Sequence, residues 1–178
     1  MEVRALTALP VADLFAALAR IDAIFFEASS VQGFESPAHR FAFHWLWLGR
    51  YLIEEPDEAF VAIEDGAVTG YLVGSLVDPA PRAAFASLDY FKAFADRTAA
   101  FPAHLHVNVA ADARGRSVGE RLVGAFERHA AVRGAPGVHV VTGAGMRNVG
   151  FYERLGYREA ARAPRGAGHV VMLAKRLR

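Results

Sequence analysis

The segment from His104 to Arg133 most constrains the fold. HLHVNVA (104–110) reads as a strand. It runs through a turn with Gly115 and Gly119 into a helix whose Val118, Leu122, Phe126 and Ala130 recur every four residues. A strand feeding directly into an amphipathic helix points to an α/β domain, in which the helix packs its apolar stripe on a sheet. The first amides of such a helix lack internal partners and sit at the positive end of the peptide dipoles. The turn can therefore cradle an anion, with Gly115 and Gly119 allowing close backbone approach and Arg114 and Arg116 adding charge. An ordinary turn and cap would show much the same pattern. No Gly-Lys-Ser/Thr follows, so this is not a nucleotide P-loop, and the glycine spacing does not fit a dinucleotide fingerprint.

The remaining pattern fills out one domain over residues 1–178. VRALTAL (3–9) reads as a first strand, and residues 11–25 as a helix with Val11, Leu14, Phe15, Leu18 and Ile21 at helical spacing. Residues 29–37 read as a loop. His39 to Glu54 reads as a second helix, largely buried because aromatics occupy more than one side. Residues 59–77 form a hairpin around Asp65–Gly66. Residues 79–103 are an insert, with a helix expected over 86–96. VHVVT (138–142) is a buried strand, and a short helix at Asn148–Leu155 stops at Gly156. Gly134 and Gly137 are expected to end the long helix, and two closing strands occupy YREAARA and HVVMLAKRL. The sum is a mostly antiparallel sheet of six to seven strands with helices on both faces.

Hydrophobic residues form 53% of the 178, enough for a core. The chain has no cysteine, which excludes disulfides, thiolate metal sites and a cysteine nucleophile. The densest apolar run, FAFHWLWL (41–48), is too short to span a bilayer, and no leader pattern opens the sequence, so a cytoplasmic protein without a membrane partner is expected. Net charge is +1, which gives no nucleic-acid signal. The charge is uneven, however: residues 112–178 hold 13 Lys+Arg against 5 Asp+Glu, and residues 1–111 hold 7 against 14. A basic half suits an anionic ligand and an acidic half a cationic one. Scattered solvated charge is the plainer alternative.

Arg114-Gly115-Arg116-Ser117-Val118-Gly119 resembles the R/Q-x-x-G-x-G/A signature of the GNAT superfamily of N-acetyltransferases, with Ser117 standing where the first glycine usually lies. NVGFYERLGY (148–157) resembles the family's late segment, with Phe151-Tyr152 and Gly156-Tyr157 at matching spacing. The two segments stand in the family's order with a strand between them. The resemblance implies a sheet splayed between strands 4 and 5 and acetyl-coenzyme A as cosubstrate. It implies a coenzyme site made by Leu105, Val107, Val109, Arg114, Gly115, Arg116, Ser117, Val118, Gly119, Asn148 and Tyr152. The Val109 amide would meet the thioester carbonyl, and Tyr152 would protonate or hydrogen-bond the leaving thiolate.

Before the signature stand His104 and His106, two apart and thus on one face of a strand. The pair resembles that of arylalkylamine N-acetyltransferases, and neutral imidazole suits proton removal from an ammonium acceptor. The resemblance thus implies direct acetyl transfer to a small acceptor, by preference an amine, in a ternary complex, with Tyr152, His106 and His104 as catalytic candidates. PAHLH also resembles bacterial relatives of the acetyltransferase-like C-terminal domain of O-GlcNAcase. That keeps open a non-catalytic module that binds acyl-CoA or a protein. No third ligand accompanies the histidines, so no metal is expected. Trp45, Trp47, Tyr90 and Phe91 are candidates for an acceptor pocket or for core, and Glu27, Glu35 and Asp89 for holding a cation. Met146 and Arg147 are lesser candidates for touching the coenzyme. A homodimer is left open.

Overall fold

The computed structural model describes residues 1–29, 31 and 33–178. In chain order the elements are β1 (Glu2–Ala5), α1 (Val11–Ala28), α2 (Pro37–His44), a π-helical turn (Trp45–Gly49), α3 (Arg50–Glu54), β2 (Phe60–Glu64) and β3 (Ala67–Ser75). They continue with α4 (Tyr90–Ala93), α5 (Ala95–Thr98), β4 (Ala103–Val109), α6 (Val118–Val132), β5 (Gly137–Gly143), α7 (Arg147–Arg154), β6 (Arg158–Arg165) and β7 (Gly168–Arg176). Strand order in the seven-stranded sheet is β1-β2-β3-β4-β5-β7-β6. The fold is the expected mixed, mostly antiparallel α/β sheet with flanking helices. Among the described residues the parallel β4–β5 ladder holds two pairs, Ala103↔Val138 and His104↔His139, against seven for the antiparallel β5–β7 ladder. None of the described helices is long and apolar enough to cross a membrane.

The chain clusters into two compact units, Met1–Gly74 with His106–Phe126, and Ser75–Leu105 with Glu127–Arg178. In the first unit, β2 and β3 form the expected hairpin. Asp65 and Gly66 take φ of 51° and 78°, the doubly left-handed turn that a two-residue connection between twisted strands requires. Its core holds Ile21, Ile24, Val61, Tyr71, Leu72, Leu122 and Phe126, each at most 1% exposed. Gly70 on β3 makes room for α6, because a Cβ there would meet Val118, Leu122 and the Asn108 carbonyl.

Three expectations change in this unit. The first strand ends at Ala5 and gives way to a single 3-10 turn at Leu6–Ala8. The expected loop 29–37 yields its last residue, Pro37, to α2, with Ser36 as cap accepting from the His39 amide; Ser30 and Gln32 lie outside the described residues. The expected helix 39–54 is helical from 37 to 54, but its first half is not buried: Phe41 is 67% exposed and stacks on the exposed Trp45, while Leu48 and Tyr51 in the second half are buried. An aromatic-rich helix reads as buried on all sides, yet here the exposed rings shield one another.

In the second unit, β5, β7 and β6 surround Val138, Val171, Met172 and Leu173. The expected helix 86–96 divides at Phe94 into two single turns, α4 and α5. Phe94 is 1% exposed, and the break turns its ring into the core. Gly134, at φ 83°, caps α6 as expected. Gly137 instead opens β5, where a Cβ would press on the Phe101 ring and the Lys175 carbonyl.

Candidate active site

Residues 106–126 of the strand–turn–helix segment predicted from the sequence, which include its turn, lie within the first compact unit. After Val109 the chain makes a 3-10 turn at Ala111–Ala113, and residues 114–117 stand exposed before α6 begins. Two residues there are left-handed: Gly115 at φ 78° and Ser117 at φ 57°. Among the described residues beyond its chain neighbours nothing lies within 4 Å of a Cβ built on Gly115, so its conformation, not crowding, calls for glycine. Ser117 takes up the backbone geometry that glycine would supply. Its carbonyl accepts from the Arg121 amide and starts the helical ladder.

Val118, Leu122 and Phe126 are buried and hold α6 in place, and Phe60 meets Phe126 edge-on at 6.4 Å. The anchored helix points its first turn, with its inward-bare amides, toward the exposed bend. The arginines flanking Gly115 are tethered: Arg114 Nε donates to the Val109 carbonyl at 3.3 Å, and Arg116 pairs with Glu64 on β2 at 2.8 Å. Glu27 accepts from the Ala111 amide at 3.1 Å, so this acidic candidate braces the turn. An exposed bend with positive dipole ends and two guanidinium groups suits a phosphate-bearing ligand.

His106 belongs to the same unit and is half-buried. Trp47 meets it edge-on at 5.3 Å, and the Tyr51 ring lies 5.3 Å away with its hydroxyl 3.2 Å from His106 Nε2. Two residues on, Asn108 Nδ2 donates to the Tyr71 hydroxyl at 2.8 Å. His106 and Asn108 thus form a polar row on one face of β4, and Val107 and Val109 alternate to the other.

The second unit holds the other expected residues. His104 is 3% exposed and lies among Phe85, Phe91 and His139, its ring 5.5 Å from that of His139. Leu105 is buried as well. Tyr90 and Phe91 are core. Asn148, at the start of α7, accepts from the Thr142 hydroxyl at 2.9 Å and ties that helix to β5. Tyr152 is buried against Phe151 and Tyr157, and burial pushes its phenol well above the ordinary range, so at neutral pH it is an O–H donor. Gly156, at φ 91°, closes α7: its amide bonds the Glu153 carbonyl, and the Tyr157 amide reaches the Tyr152 carbonyl. That double closure fixes Tyr152 and sends Tyr157 into the core. Glu35 and Asp89 are exposed.

A protein-family model described as the acetyltransferase (GNAT) family matches residues 18–157, most of the chain. The chain belongs to that family. GNAT membership makes it an acyltransferase by class. Solved structures agree with the assignment. SsHAT is 26% identical, with 99% of this chain and 98% of that one covered and a TM-score of 0.73. A ribosomal-protein-alanine N-acetyltransferase from Brucella melitensis is 19% identical, with 99% and 100% covered and a TM-score of 0.63. The structure of yncA from Salmonella typhimurium, solved with its cofactor acetyl-CoA, is 19% identical, with 100% and 94% covered and a TM-score of 0.61; at these two identities the likeness speaks for the GNAT fold.

Three residues that bear on the GNAT chain's site carried no readable signal in the sequence. Gly70 lies in an ordinary strand pattern, and only its contact with α6 explains it. Glu64 reads as the polar end of a hairpin strand until Arg116 is placed beside it. Tyr51 reads as helix core, and its hydroxyl gains meaning only from His106, 55 positions away.

Proposed function

We propose that this protein transfers the acetyl group of acetyl-CoA to the amine of a small acceptor, by direct attack and without a covalent enzyme intermediate. The single observation that carries this reading is the exposed bend at 114–117, with Gly115 and Ser117 both left-handed at the start of a 15-residue helix. The amides of residues 115–119 hold the coenzyme diphosphate, with the Arg114 and Arg116 side chains supplying charge and buried Val118 keeping the helix start in place. Leu105, Val107, Val109 and Asn148 complete the coenzyme contacts. The neighbouring yncA structure, solved with acetyl-CoA, and the family membership support this choice of cosubstrate.

His106 takes the proton of the acceptor ammonium. It is favoured over His104 because it is half-buried beside polar and aromatic groups, whereas His104 lies in an aromatic cluster. The free amine attacks the thioester carbonyl, and the Val109 amide stabilises the oxyanion. Collapse breaks the C–S bond, the thiolate takes a proton or a hydrogen bond from the Tyr152 phenol, which burial keeps protonated until that step, and the proton shed by the attacking nitrogen as the amide forms makes good any proton passed to sulfur. Coenzyme A carries the activated acyl group, while the protein supplies position and polarity. Ser117 supports a working cradle rather than a disabled one, since it adopts a glycine-like φ.

The test is calorimetric titration of acetyl-CoA followed by a thiol-release assay over a panel of primary amines. Saturable binding with turnover of at least one amine is expected. Binding without turnover of any amine would replace the transferase reading with a coenzyme-binding module, and absence of binding would remove both.

A further inference from the structure

We infer that Tyr51 is a positioning residue for His106: its hydroxyl accepts a hydrogen bond from His106 Nε2–H and leaves the Nδ1 lone pair as the base. The inference rests on the proposed role of His106 and extends it to a residue that never meets the acceptor. Tyr51 is 2% exposed, so its ring is fixed by packing and its hydroxyl cannot swing into solvent. That hydroxyl lies 3.2 Å from His106 Nε2. A neutral imidazole has one protonated nitrogen and one basic nitrogen, and the partner of the first decides which the second is.

The helix that carries Tyr51 is built to present it. The wide turn at Trp45–Gly49 inserts a residue between α2 and α3, a device that re-aims the side chains beyond it. Gly49 is the residue that fits, since a Cβ there would stand 3.1 Å from His44 Nδ1 and 3.3 Å from Trp45 Cε3. Trp47 and Tyr51, four apart, then share one helix face. Both rings reach His106 at 5.3 Å, Trp47 edge-on at 85° and Tyr51 at 66°. Trp47 supplies apolar contact, and Tyr51 supplies a polar atom to the imidazole. The Tyr51 hydroxyl lies against His106, and that of Tyr71 against Asn108 on the same face of β4.

The experiment is nitrogen NMR of the His106 ring in the ligand-free full chain, with the resonance assigned by His106→Gln. The wild type is expected to show the Nε2–H tautomer, and Tyr51→Phe to shift the ring to a mixture of both. An Nδ1–H tautomer in the wild type, or the same tautomer population in Tyr51→Phe, would overturn the inference. The wild-type measurement decides even if the variant folds poorly.

The kinetic arm is a double-mutant cycle over the amine panel. Tyr51→Phe is expected to lower kcat/KM about tenfold with KM for acetyl-CoA unchanged, and to add no loss in the His106→Gln background. A full additional loss there would show that Tyr51 acts elsewhere. If the wild type turns over no amine, the transferase reading fails, and the tautomer measurement still decides the role of Tyr51.

Discussion

Gly70 and Val118 are in contact distance only because the former has no side chain: a Cβ at Gly70 would stand 2.9 Å from Val118 Cγ1. It would also stand 3.1 Å from the Asn108 carbonyl, which belongs to the backbone and cannot swing aside. Gly70→Ala should therefore push the start of α6 outward, at a cost of about 1–3 kcal/mol. It should also weaken acetyl-CoA binding, since the displaced turn carries the bare amides. Val118→Ala in the same chain should recover part of both losses. Thermal melts and calorimetry on the single and double variants check this. An alanine at residue 70 that leaves both unchanged would mean the helix start is not set from beneath.

Ser117 tests the backbone of the bend. A non-glycine residue at φ 57° carries roughly 1 kcal/mol of strain. Ser117→Gly should leave stability level or slightly raised, with acetyl-CoA affinity equal or higher. Ser117→Val, β-branched at a left-handed position, should destabilise by more than about 1 kcal/mol. Gly119→Glu separates anion binding from folding. A carboxylate in the first turn suits the helix dipole, so the melt should hold, while affinity for acetyl-CoA falls at least about tenfold through repulsion of the diphosphate. Unaltered affinity would place the cradle elsewhere.

His139 should give the fold a pH limit. Burial holds its pKa down to about 4 from the ordinary 6.5, against the opposing pull of the Phe101 carbonyl, which accepts from Nδ1 at 2.6 Å. Nε2 has no hydrogen-bond partner among the described residues. The neutral ring is thus the folded form, and the unfolded chain takes up the proton first. Stability from this group is complete above pH 6.5 and is lost as pH falls toward 4. Between pH 7 and pH 5 the loss is about 2 kcal/mol, or roughly 5 °C in Tm. His139→Gln should flatten that acid slope. Differential scanning calorimetry across the range reads both slopes, and equal ones would remove His139 as the cause.

Tyr152→Phe keeps the buried ring and deletes the proton donor. If the phenol meets the leaving thiolate, kcat should fall about 10- to 100-fold while KM for acetyl-CoA changes little. Because burial raises the phenol's pKa, the wild-type rate should show no basic limb from this residue at or below the ordinary tyrosine value of 10. Steady-state kinetics from pH 6 to about 10 check both points. An unchanged kcat would assign thiolate protonation to water or to another group.

Local pattern determined much of this protein. The Asp65–Gly66 turn, the four-residue repeat of α6, the stop at Gly156 and the bend at 114–119 follow from backbone preferences and periodicity acting over a few residues. The family motifs lie in those same segments, which is why the acetyltransferase class was legible. The tertiary structure decided what depends on neighbours distant in the chain. Periodicity could not say that Phe41 and Trp45 stack outside while Leu48 and Tyr51 turn inward, since all four are apolar or aromatic at helical spacing. Nor could it part His104 from His106. Alternation puts both on one face of β4, yet one ring meets Phe85, Phe91 and His139 and the other meets Trp47 and Tyr51. A side chain's charge, tautomer and reach depend on what packs against it, and that is fixed only when segments far apart in the chain come together.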